Sequence, residues 1–221
     1  MMLDGRALLF DLDGCLVDSL PSIARCWGEV LGGLGRPAPS VDAVRPFVGP
    51  PADTIVRTLA PDMTEDEIED LVMAYRRCTA VAQDVEAFPG IPELLEVLGG
   101  HGVPLAVATS KSIEVVEPLL DRLNLARWFD VVEGTGRDEL GTDKATIVGR
   151  ALQRLSPTRA FALVGDREHD VIGAHAHGLS AIGVLWGYGS WEELSAAGAD
   201  LLLDTPADLE AHLRGRCDGA A

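Results

Sequence analysis

The stretch from Arg6 to Asp18, RALLFDLDGCLVD, decides the reading of this chain. Ala7 to Phe10 is a short apolar run, the pattern of a strand buried on both faces of a parallel sheet, although the run alone does not separate it from a turn of buried helix. Asp11 and Asp13 follow, then Gly14. Carboxylates two residues apart on an extended chain point to the same side and can face one small pocket. Like charges so close repel, and burying them is costly without a cation or a shared proton. Ligands of open α/β sheets bind just beyond the carboxyl ends of the strands, so the pair marks a functional site rather than a turn that merely favours Asp and Gly.

Downstream, short apolar runs alternate with helical patterns. Pro104 to Ala108, Asp130 to Val132, Ala160 to Val164, Ala181 to Leu185 and Leu201 to Leu203 read as strands, with amphipathic helices between them. Alternation of this kind predicts an α/β fold, a Rossmann-like doubly wound parallel sheet. Between the first strand and the next, the chain is helical throughout. Ser19 is expected to cap the helix that carries Ile23, Trp27 and Leu31, and Thr64 to Glu67 forms a capping box for another. Ser112 is likewise expected to cap the helix after the second strand. A final helix starting at Thr205–Pro206 is expected to fade into a disordered tail, GRCDGAA.

Composition narrows the function. Of 221 residues, 47% are hydrophobic and 24% charged, an ordinary globular balance. Lys and Arg total 18 against 35 Asp and Glu, a formal charge of −17, which disfavours nucleic-acid or anionic-membrane partners. No apolar run reaches the roughly 18 residues of a membrane span, and MMLDGR lacks the features of a signal peptide, so a cytoplasmic location is expected. The four cysteines show no CxxC and no paired spacing with His, and reduced thiols are expected. Lysine occurs only at Lys111 and Lys144 in a chain that otherwise uses Arg. That retention suggests a need for a compact ammonium, above all at Lys144, and removing Lys111 is expected to cost much less.

Three further stretches end strands or open helices: Thr109–Ser110–Lys111, Lys144 after Gly141–Thr142–Asp143, and Gly165–Asp166–Arg167–Glu168–His169–Asp170, a GDxxxD pattern. Together with DLDGCLVD they resemble, in order, the four signatures of the haloacid dehalogenase superfamily, with Cys15 where Thr is commoner. The resemblance implies that Asp11 is a nucleophile that becomes an aspartyl phosphate. It makes Asp13 an acid and base, which argues against dehalogenation. Thr109, with Ser110 and Gly14, would bind phosphate, and Lys144 would tether phosphate and nucleophile. Mg²⁺ would be held by the carboxylates of Asp11 and Asp166 and the backbone carbonyl of Asp13, with Asp170 bound through water or orienting Lys144.

The same resemblance divides the chain into an α/β core, residues 1–18 and 89–221, and an inserted helical cap, residues 19–88. Val48 to Pro51 and Trp186 to Gly189 resemble loops of phosphoglycolate-phosphatase-like and 5′-nucleotidase-like members. Arg45, Arg76 and Arg77 are candidates to hold an acidic leaving group. His169, His175 and His177 are read as structural or surface residues. The implied activity is Mg²⁺-dependent hydrolysis of a small phosphorylated metabolite, phosphoglycolate-like or a nucleotide monophosphate, by a monomer or homodimer. Phosphomutase or phosphotransferase chemistry is the nearest alternative, ahead of a phosphoacceptor signalling receiver or a catalytically idle interaction protein.

Overall fold

The computed structural model describes residues 5–137, 139–156 and 159–218. In chain order its elements are β1 (Ala7–Phe10), β2 (Val17–Asp18), α1 (Leu20–Gly32), α2 (Val41–Val44), α3 (Ala52–Leu59), α4 (Glu65–Ala80), β3 (Glu86–Ala87), α5 (Ile91–Gly100), β4 (Leu105–Ser112), α6 (Ile113–Arg122), β5 (Val131–Thr135), α7 (Lys144–Leu155), β6 (Ala160–Gly165), α8 (Glu168–His175), β7 (Ser180–Val184), α9 (Trp191–Ala197), β8 (Leu201–Leu203) and α10 (Pro206–Asp218). Helix α10 continues well into the segment expected to be disordered. Cys217, part of that segment, has a side chain outside the described residues.

Six strands pair in the order β5-β4-β1-β6-β7-β8, all parallel. The alternation of side chains along β1 explains why its run is apolar throughout. Leu8 and Phe10 join a core that includes Leu94, Leu98 and Leu209 from α5 and α10. Ala7 and Leu9 face the opposite way, into a core with Ile147, Ala151 and Val171 from α7 and α8. A strand that fills two cores has no polar face to spare.

Helices α1 to α4 build a third core from Leu20, Ile23, Trp27, Ile55, Val72 and Tyr75, with the Trp27 and Tyr75 rings stacked 4.1 Å apart. Thr64 and Glu67 form the expected capping box at α4. A short antiparallel ribbon, which the sequence did not announce, pairs Val17 with Ala87 and Asp18 with Glu86. The chain therefore leaves for the helical insert and returns from it through adjacent, hydrogen-bonded strands.

The thiols depart from expectation. Cys26 on α1 and Cys78 on α4 form a disulfide with a Cα–Cα distance of 5.7 Å. The stacking of Trp27 on Tyr75 brings these helix faces together, a contact across 52 residues that spacing alone cannot reveal. Cys15 is free and buried.

Candidate active site

Asp11 continues the β1 ladder by one residue, donating its N–H to the Val164 carbonyl at 2.8 Å. Its carboxylate thus stands at the carboxyl edge of the central strand. Lys144, the first residue of α7, reaches it from the side. Its Nζ lies 2.5 Å from Asp11 Oδ1 and 2.7 Å from Asp170 Oδ1. Asp170 also accepts the Arg167 backbone N–H at 3.1 Å, which fixes the start of α8. Lys144 Nζ is thus shared between the Asp11 and Asp170 carboxylates.

Asp166 completes the cluster. One oxygen, Oδ2, accepts the Tyr188 N–H at 2.7 Å. The other, Oδ1, is buried and has no hydrogen-bond partner among the described residues. Ligand oxygens of Asp11, Asp166 and Asp170 lie within 4.8 Å of one another. Gly14 makes this close approach possible: it adopts φ +91°, and a Cβ there would stand 2.2 Å from Asp166 Oδ2. Its N–H is spent on the Val17 carbonyl at 3.0 Å, so the phosphate contact expected of Gly14 gives way to shaping the loop around Asp166.

Electrostatics explain what such a cluster requires. Burial pushes the Asp11 carboxyl up to about 6, against the pull of Lys144 and with a further push from Asp170. Burial, then Asp170 and Asp11, hold Asp166 well above the usual carboxylate range. Burial pulls the Lys144 ammonium down, but Asp11 and Asp170 outweigh it and hold it above its ordinary value. Three buried carboxylates against one ammonium leave negative charge uncompensated. Hard carboxylate oxygens, one of them orphaned, are the donor set that Mg²⁺ takes, so these residues fit a divalent cation. Cys15, beside them, is a poor nucleophile: its Sγ meets the Val164 carbonyl at 3.5 Å, and burial pushes its thiol well up.

Asp13 faces a different set of partners. Ser19, instead of capping α1, donates its hydroxyl to Asp13 Oδ1 at 2.5 Å. Lys111 Nζ lies 3.1 and 3.0 Å from the two Asp13 oxygens. Lys111 gets there because β4 does not stop at Ala108 but runs on to Ser112 through a bulge. Ala108 pairs with Glu133 and Ser112 with Thr135, so four steps along β4 match two along β5. Gly134 makes room, since a Cβ there would meet the Lys111 carbonyl at 2.6 Å. Tyr188 secures the Ser19 side of the site. Its hydroxyl accepts the N–H groups of Ser19 and Leu20 at 2.7 and 3.0 Å and donates to Asp18 at 3.0 Å. The sequence carries no cue for Ser19 as a site residue; Tyr188 is signalled only by the resemblance of its loop, Trp186 to Gly189, and Lys111 by the scarcity of lysine.

Above these groups lies a cavity of about 50 Å³, room for about three or four waters. Asp11, Asp13, Thr109, Ser110 and Lys111 line it from the core side. Ile23, Phe47, Pro50, Ile55 and Tyr75 line it from the helical insert. Two arginines tie these halves together in opposite senses. Arg167 of the core donates to the Val48 carbonyl, to Pro46 at 3.1 Å and to Arg45 at 3.5 Å. Arg76 of α4 donates to the Arg137 carbonyl, to Gly136 at 3.2 Å and to Glu139 at 2.8 Å.

Of the three arginines singled out by sequence, only Arg76 lines the cavity, and these bonds are to backbone. Arg45 is exposed with its guanidinium over the Tyr188 ring, and Arg77 is exposed. His175 meets Asp200 and His177 meets the Ala145 carbonyl, both away from the carboxylates.

The sheet, the carboxylate cluster and the covering helices define a class, and comparison with known proteins agrees. The family model described as haloacid dehalogenase-like hydrolase matches residues 8–184. The chain belongs to that family. Tyrosine-protein kinase PtkA of Mycobacterium tuberculosis is 35% identical over 187 residues, 83% of this chain and 63% of that protein. This chain thus spans less than two thirds of PtkA. Phosphoglycolate phosphatase of Pseudomonas putida is 32% identical over 226 residues, 97% of this chain and 81% of that protein. Among solved structures, one described as a predicted phosphatase from Clostridium acetobutylicum superposes with a TM-score of 0.87 at 31% identity, covering 95% of this chain and 98% of that one.

Proposed function

We propose that this protein is a Mg²⁺-dependent phosphomonoester hydrolase that works through an aspartyl phosphate on Asp11. The observation that carries the reading is the buried Asp166 oxygen, without a hydrogen-bond partner among the described residues, close to Asp11, which together with Asp13 lines the cavity. Asp11 and Asp166 would hold the cation, which when bound neutralises phosphoryl charge.

An Asp11 oxygen attacks phosphorus, and the phosphorus–ester oxygen bond breaks as Asp13 gives its proton to the departing oxygen. Water then attacks phosphorus, its proton passes to Asp13, and the bond to Asp11 breaks. Lys144 steadies the nucleophile and the phosphoryl oxygens, and Thr109 and Ser110 donate to the same oxygens. The helices between β2 and β3 act as a cap that admits substrate and excludes water from the covalent intermediate.

We favour a short leaving group of the phosphoglycolate type, with a nucleotide monophosphate as the alternative. Support for the first class comes from the relatives named phosphoglycolate phosphatase. The test is phosphate release across a panel of phosphomonoesters with and without Mg²⁺. Release of phosphate equal to ester consumed, only with the cation, is expected. Consumption that yields a new phosphoester instead would mean transfer to another hydroxyl.

A further inference from the structure

Lys111 places an ammonium where the proposed mechanism does not use one. Two of its three N–H donors are accounted for by the Asp13 oxygens, and the residue lines the cavity. Next to it, Ser112 is only 4% exposed, lines the same cavity, and has an Oγ with no partner among the described residues. Ser112 also precedes α6, ten residues long, whose N-terminus receives no side-chain cap. Val115 of that first turn lines the cavity too, while the acidic Glu114 turns away to pair with Arg137 at 3.3 Å. An ammonium donor, an unused hydroxyl and the positive end of a helix thus converge beside Asp13.

We propose that Lys111, Ser112 and the first turn of α6 form an anion subsite for the leaving group, and that the preferred substrates carry a carboxylate close to the phosphate ester. This rests on the phosphatase reading and narrows it. The acid that protonates the ester oxygen must touch it, and Lys111 Nζ is within 3.1 Å of that acid. A group bound by Lys111 therefore sits on the carbon bearing the ester oxygen or the next one. Ile23, Phe47, Ile55 and Val115 make the apolar part of the remaining wall, so an anionic group entering the cavity finds its cation at Lys111. In a chain of net charge −17, an anionic leaving group needs such a local reversal of potential.

The test compares 2-phosphoglycolate with 2-phosphoglycolamide, in which a neutral amide of the same shape replaces the carboxylate, using the full chain with Mg²⁺, in the wild type, Lys111→Met and Ser112→Ala. The expected wild-type preference for the carboxylate is about tenfold or more in kcat/KM, the size of a hydrogen bond to a charged group. Lys111→Met slows both esters but erases the preference, Lys111→Arg restores part of it, and Ser112→Ala reduces it severalfold. A wild type without preference, or a Lys111→Met variant that keeps it, overturns the subsite. Calorimetric binding of the same two esters separates this from failure of the phosphatase reading. A protein that binds 2-phosphoglycolate more tightly, and loses that margin in Lys111→Met, has the subsite even if it hydrolyses neither ester; equal or absent binding of both overturns it.

Discussion

Lys144 Nζ lies 2.5 Å from Asp11 Oδ1, both side chains almost wholly buried, so the ammonium is built into the nucleophile's surroundings. It is shared with Asp170, which leaves its position little freedom. Replacing it by Met keeps the length and removes the charge. Lys144→Met is expected to lower kcat for an aryl phosphate about 10²-fold or more, the scale for one lost transition-state charge contact. A loss below tenfold, measured under saturating substrate, would mean that the ammonium only fills space.

Metal dependence can be read without activity. In the metal-free protein Asp11 is held at about 6 and Asp166 is also raised, so both favour the folded state at low pH. The sign follows from linkage: stability from a raised carboxyl is present below its ordinary value near 4 and lost as pH rises through the folded one. For Asp11 that window is about pH 4 to 6, and the loss is on the order of 3 kcal/mol. Mg²⁺ is therefore expected to raise Tm more at pH 7.5 than at pH 5. Asp166→Asn is expected to raise the metal-free Tm at pH 7.5 and to abolish most of the Mg²⁺ effect. An equal Mg²⁺ shift at both pH values, by thermal unfolding in EDTA or Mg²⁺, would remove these carboxylates from metal binding.

The arginine clasps make a separate prediction. Arg167 and Arg76 each hold backbone carbonyls on the opposite side of the cavity. Arg167→Ala and Arg76→Ala are expected to raise KM severalfold for every ester, with smaller changes in kcat, because the closed arrangement becomes less populated. Hydrogen exchange in residues 45–49 should rise in Arg167→Ala. A change in substrate ranking with unaltered exchange would make Arg76 a specificity residue, as its sequence position suggests.

Much of the core is legible in the sequence. The DLDG stretch, the strand-end position of Asp166 and the opening of α7 at Lys144 are local signals, set by apolar runs and helix starts. The expected doubly wound parallel sheet is the one observed. What escaped was non-local. Ser19 looks like an ordinary N-cap until the fold brings Asp13 within 2.5 Å of it. Tyr188 reaches Ser19 across 169 residues, and Lys111 reaches Asp13 across 98. The bulge that lifts Lys111 depends on a glycine in the neighbouring strand, which no pattern within β4 encodes. The disulfide fails for the same reason, since Cys26 and Cys78 meet only once α1 and α4 pack.

The central claim is that Asp11 carries the phosphoryl group during turnover. It is tested most directly by mixing the Mg²⁺-loaded protein with an aryl phosphate, quenching in acid within a turnover, and locating the phosphoryl group by peptide mass spectrometry. The account predicts a phosphoryl group on Asp11 in the wild type. It predicts more of it in Asp13→Asn, whose second step is slowed, and neither label nor turnover in Asp11→Asn. A label on another residue, such as Tyr75 in the cavity wall, or an Asp11→Asn variant that still releases phosphate, would contradict it.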